Sequence, residues 1–174
     1  MEQLTTAKAM YASFSKLAQA DKAVDSILDF GLPTEHISLV AKVAGPMSLR
    51  PSSLGNWLID KVGNAKFGLG IGTLATAICV VIPGVCLVVG GGPLAKSIAG
   101  SSAGRKLFDK DVLIHLEEHG VPAGAIVKYG LDYGQGGAIL AVAVPTDHFR
   151  KTAVRQIVTT WQGNHIGAYE IQPS

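Results

Sequence analysis

Charge is scarce in this chain. Charged residues fill 16% of its 174 positions, against about a quarter in an ordinary soluble domain. The net charge is only +2, which gives no basic footprint for nucleic acid. Aromatic residues are few as well, at 6%, so the interior must be built from small and aliphatic side chains. There are two cysteines, Cys79 and Cys86, and neither has a C-x-x-C partner. That spacing argues against a disulfide framework and against a cysteine zinc site. The opening MEQLTTAKAMYASFSK has no apolar signal core, so the expected location is the cytoplasm, where thiols stay reduced.

What the chain has in plenty is glycine, 21 residues, and apolar side chains, 48%. A length of 174 residues supports a single domain with a core that needs no staples. Residues 9–14, AMYASF, read as a strand. In the segment that follows, Leu17, Ala20, Ala23, Val24, Ile27 and Leu28 recur at helical spacing, Gly31 supplies a stop, and Pro33 forbids continuation. ISLVAK, from Ile37, is a β-branched strand. GAILAVAVP, Gly137 to Pro145, reads as a strand buried on both faces. Thr146 or Asp147 would then cap a helix through Trp161, with Phe149, Ala153, Ile157 and Val158 turned inward. HIGAYEI closes the chain as a strand.

Two βαβ units result, and antiparallel pairing between them predicts an α+β, ferredoxin-like sandwich. The first half is 1–44, the second 120–174, and residues 45–119 form a large, mostly helical, glycine-rich insertion. FGLPTEHI and HGVPAGAI share a pattern in which a helix ends at glycine and proline redirects the chain. IVKYGLDYGQGG is open between a strand with a glycine turn and a short helix.

From Phe67 to Ala95 no residue is charged. That length alone fits a membrane span. However, if both βαβ units share one sheet, the segment must return to the side it left. Pro83-Gly84 divides it into arms which, as helices, would reach roughly 24 and 17 Å, short of the ~30 Å hydrocarbon core. The expectation is a hairpin, packed in protein or dipping into a membrane without crossing. Gly68, Gly72 and Thr76 fall at i, i+4, i+8, as do Ala95, Ala99 and Ala103, with Gly100 and Gly104 beside them. Such rows let helix backbones approach closely, either in self-association or beneath a sheet. Lys61, Lys66, Lys96, Arg105 and Lys106 bracket the segment and could meet anionic headgroups.

Three motifs suggest chemistry. CLVVGGGPLAKS resembles a phosphate loop, but Ala95 stands where G-x-x-x-x-G-K-[ST] needs glycine, and Pro93 lacks an N–H. GLGIG lacks the third glycine of the dinucleotide fingerprint, where Thr73 stands. HLEEH matches H-x-x-E-H, so His115 and His119 are weak zinc candidates with Glu118 as a base. A third ligand would have to come from Asp132, Asp147 or Glu170. The bland alternative is a solvated helix end with His119 at the negative pole. Tyr129, Tyr133 and Lys128 could line a ligand site.

AMYASFSKLAQADKAVDSILDFGLPTEHISLVA, FGLGIGTLATA…IPGV…GGPLA, HGVPAGAI and GGAILAVAVP together resemble an uncharacterised bacterial general-stress-type protein family. The resemblance implies a ferredoxin-like domain with an inserted glycine- and alanine-rich apolar hairpin, and no catalytic residues. The chain departs from it at GLDYGQGG, where a charged helix would be expected. The expected function is non-enzymatic, with no cofactor and no nucleic acid: self-association or docking through the apolar hairpin, as a homo-oligomer or on a protein partner. Two other readings stand beside it. One is a protein that dips into the inner face of the membrane. The other is a metal-dependent enzyme or small-ligand binder using HLEEH.

Overall fold

The computed structural model describes residues 8–41, 79–82, 86–101, 109–144 and 148–170. Strand β1 is Lys8–Phe14 and helix α1 is Leu17–Phe30. A 3-10 turn, Thr34–His36, leads to β2, Ile37–Ala41. Then come β3, Cys79–Ile82, β4, Cys86–Gly90, and the helices α2, Pro93–Ser101, α3, Asp109–Glu118, and α4, Ala123–Gly134. Strand β5, Ala138–Val144, helix α5, His148–Thr160, and strand β6, Asn164–Glu170, complete the order. The class is α+β.

One sheet takes all six strands, in the order β3-β4-β2-β5-β1-β6, with every pairing antiparallel. Strand β5 lies between β1 and β2. It pairs with β1 from Lys8↔Val144 to Phe14↔Ala138, and with β2 from Ile37↔Val142 to Ala41↔Ala138. The two ends of the chain therefore share one sheet.

Both faces of that sheet are covered, and the period of two sorts its residues between them. One face presents Met10, Ala12, Phe14, Ile37, Leu39, Leu140, Val142 and Val144 to the inner sides of α1 (Ala20, Ala23, Val24, Ile27) and α5 (Val154, Val158). The other presents Ala9, Tyr11, Val40, Val88, Ile139 and Ala141 to α2 (Leu94, Ala95, Ile98), α3 (Val112, Leu116) and α4 (Tyr129, Tyr133). This two-sided burial explains why β5 is an unbroken run of small and aliphatic residues.

Two expectations are corrected and one open alternative is decided. Residues 79–82 and 86–90 are paired antiparallel strands, not parts of helical arms: Val80, Val81, Ile82, Val88 and Val89 favour a strand, and Cys79↔Val89 to Ile82↔Cys86 pair in unbroken register. Of the two readings open for IVKYGLDYGQGG, the helix is the one found: up to Gly134 it is the body of α4. Phe149 is 71% exposed and does not point inward. It sits about 180° around the helix from Val158, at ~100° per residue. The caps expected at Thr146 or Asp147 lie outside the described residues.

The FGLP and HGVP echo is one helix cap used twice. Gly31 and Gly120 are left-handed, at φ 104° and 89°. At the first, Gly31 N–H donates to Leu28 O and Leu32 N–H to Ile27 O. At the second, Gly120 N–H donates to Glu117 O and Val121 N–H to Leu116 O. Both are Schellman motifs, and the following aliphatic residue, Leu32 or Val121, is buried. The first cap leads into a strand and the second into a helix, so the echo reports shared termination rather than duplicated halves.

Glycine substitutions separate these roles. Gly90 sits at φ 121°, and an added Cβ would run into the Ile37 carbonyl oxygen. Gly124, in α4, is exposed, and an added Cβ would meet nothing within 4 Å. Gly90→Ala should lower unfolding free energy by about 2–4 kcal/mol, and Gly124→Ala should raise it by about 0.5–1 kcal/mol. Urea denaturation of the two variants checks both signs.

Candidate functional site

The segment resembling a phosphate loop has the right local shape: strand β4, Gly90-Gly91-Gly92, then helix α2. Its donors are turned inward. Gly91 N–H donates to Thr34 O and Gly92 N–H to Ile37 O, each at 3.2 Å. Ala95 N–H, in the first turn of α2, donates to the buried hydroxyl of Ser38 at 3.2 Å. A Cβ on Gly91 would meet Glu35 backbone, and one on Gly92 would meet Ser38. The glycines let this turn lie against the start of β2. Their N–H groups satisfy protein carbonyls and leave no anion cradle. Lys96 is exposed.

Of the small-residue rows, Ala95 is buried in the core with Leu94 and Ile98 beneath the sheet. Ala99 and Gly100 lie in α2. Gly68, Gly72, Thr76, Ala103 and Gly104 lie outside the described residues, as do Lys61, Lys66, Arg105 and Lys106.

The histidine segment lies on α3, packed against α2. His115 is buried, and its Nδ1 is 3.2 Å from Ser97 Oγ and 3.2 Å from Glu118 Oε2. A serine–histidine–acid relay needs hydroxyl and carboxylate on opposite ring nitrogens. Here both meet Nδ1, so the group anchors α3 to α2 and does not form a relay. His119 Nε2 is buried without a hydrogen-bond partner among the described residues. Burial, then the neighbouring His115, hold its imidazole pKa below the ordinary value, with Glu118 opposing them. Among the described residues no three His, Cys, Asp or Glu side chains converge. Asp132, a possible third ligand, is engaged elsewhere: its Oδ2 accepts from buried Ser13 Oγ at 2.6 Å and from Asn164 Nδ2 at 3.3 Å. That contact ties α4 to β1 and β6.

Tyr129 and Tyr133 are core residues, with Lys128 exposed beside them. The Tyr129 hydroxyl donates to His165 O at 2.6 Å. The Tyr11 ring lies 6.4 Å from that of Tyr129 and 5.9 Å from that of Tyr169. Burial pushes the phenols of Tyr11 and Tyr129 well above the ordinary range, for Tyr129 with help from its hydrogen bond to Tyr169.

One feature has no signal in the sequence. Phe30 and Phe149, rings 6.4 Å apart, line a shallow cleft of about 260 Å³ with Gly31, Leu32 and Arg150. This lies below the 300–1,000 Å³ of small-molecule pockets. The residues come from the end of α1 and the start of α5, and only the contact between those helices brings them together.

Compared with protein-family models, curated proteins and solved structures, the chain matches none.

The depressed His119 pKa has a definite sign. The unfolded imidazole titrates at ~6.5, so below that pH the unfolded state takes up a proton that the folded state resists, and stability falls. His119→Gln should flatten the loss of melting temperature between pH 7 and pH 5, as scanning calorimetry at several pH values would show. An equally steep loss in the variant would contradict the assignment.

Proposed function

We propose that this protein is a non-enzymatic module that self-associates or docks through its apolar hairpin. The observation that carries the reading is the position of β3. Among the described residues the outermost strand on this side is Cys-Val-Val-Ile, inside the charge-free stretch from Phe67 to Ala95. Among the described residues β3 has one neighbouring strand, β4. A strand of this kind leaves a row of backbone donors and acceptors open to pairing.

The same reading takes β1-α1-β2 and β5-α5-β6 as a ferredoxin-like core. The strand order β2-β5-β1-β6, all antiparallel, supports it. The inserted segment then supplies two things to that core: a strand pair that widens the sheet, and helices α2 and α3 that roof its second face beside α4. The resemblance to general-stress-type proteins points to the same non-catalytic role. Among the described residues no helix is long and apolar enough to cross a membrane.

Sedimentation velocity without detergent tests the reading. The expected particle is a multiple of 18.1 kDa, reduced toward a single chain by Val81→Lys, since a charge on an edge strand opposes pairing. A monomer at all accessible concentrations, together with no flotation on anionic liposomes, would refute it. Flotation alone would move the docking surface from protein to lipid.

A further inference from the structure

Among the described residues the sheet has two outer strands, β3 and β6, and they differ. Strand β6 is blunted. Four residues of β6, from Gly167 to Asn164, run against three of β1, from Tyr11 to Ser13, which is a bulge in the outer strand. His165, within it, adopts the left-handed conformation at φ 52°. The far end carries exposed Glu170, 3.9 Å from Lys8. Bulges and charges of this kind are how natural sheets stop an edge from pairing. Strand β3 has none of them. Its register against β4 is continuous, it contains no proline and no charge, and three of its four residues are β-branched.

We infer that β3 receives the β3 of a second copy, antiparallel about a two-fold axis, so that two six-stranded sheets run on as one. The inference rests on the self-association reading above and gives it a partner and a geometry. An uncharged strand can face its own copy without placing like charges opposite each other. A two-fold contact uses one patch twice and closes at a dimer. The alternative, β3 against β6 of the next copy, would pair a regular edge with a bulged one and would grow without limit.

Two measurements on the full chain test this. In a strand, successive N–H groups point to opposite sides, so one of Val80 and Val81 donates away from β4. Of Val80→Pro and Val81→Pro, one should give a folded monomer, while Gly167→Pro and Ala168→Pro should leave a dimer. Folding is read by circular dichroism and mass by sedimentation. The second measurement needs no proline in a strand. A nitroxide at Glu170→Cys, with Cys79→Ser and Cys86→Ser, reports the distance between the two β6 strands by pulsed electron resonance. With strands ~4.8 Å apart and each β6 five strands from its β3, the labels should lie about 40–60 Å apart.

A dimer with labels within about 25 Å, or open-ended polymers, would overturn this inference and leave self-association standing. So would a dimer that neither β3 proline dissociates while the chain stays folded. A monomeric parent protein would remove the reading on which it rests.

Discussion

Every other element depends on β5 lying between β1 and β2. Helix α1 connects two strands that do not touch. Each finds its partner only when a segment far along the chain enters the gap, with Met10 opposite Val142 and Leu39 opposite Leu140. Until then neither β1 nor β2 has a neighbour on that side, and α1 has no complete surface to cover. The constraint is costly in loop entropy and non-local in contact order, which places sheet completion late in folding. It also decides what can lie between β2 and β5. Whatever the intervening segment does, it must leave from beside β5 and return there.

That return explains the second face. A sheet whose central strand is apolar on both sides must be covered on both sides. Helices α1 and α5 cover one face. The other is closed by α2 and α3, from the intervening segment, and by α4 just before β5. The glycine triplet is the joint that makes this possible. It turns the chain from β4 into α2 within contact of β2, and Ser38, itself on β2, accepts a hydrogen bond from the first turn of α2. The same strand-glycine-helix shape serves phosphate binding when its N–H groups face outward. Here they face Thr34 and Ile37, so the direction of the donors, which a pattern of letters does not encode, separates a packing joint from a ligand cradle.

Much of the core is legible in the sequence because its signals are local and agree with one another. Alternation and β-branched runs mark β1, β2, β5 and β6. Helical spacing with Gly31 and Pro33 marks α1. Where sequence and structure part, the signals compete. Gly124, Gly130 and Gly134 make α4 look like a turn, yet Gly130 lets α4 approach α3, where an added Cβ would already touch Leu113 at 3.4 Å. The hairpin is masked by its length without charge, which draws attention to membranes. The useful signal is finer: β-branched residues on both sides of Pro-Gly. Phe149 reads as inward on hydrophobicity alone, whereas the phase set by Val154 and Val158 turns it outward. The Phe30–Phe149 cleft and the Ser97–His115–Glu118 contact depend on how separate helices meet, and no single segment contains that information.

The two sheet edges differ for reasons that reach into the core. The bulge in β6 is tied to Tyr129. The left-handed turn at His165 costs about 1 kcal/mol for a residue with a Cβ, and the carbonyl of that same residue accepts the buried Tyr129 hydroxyl at 2.6 Å. An unpaired buried hydroxyl would cost about as much or more. The distortion that satisfies the tyrosine therefore also spoils the edge for pairing, without any further device. Among the described residues strand β3 meets the rest of the sheet through β4 alone, and its register carries no bulge. A short strand with one neighbour gains little from the sheet that it joins. Its persistence as a regular, uncharged, β-branched edge is what a second partner strand would reward, and this asymmetry ties the proposed assembly to the fold itself.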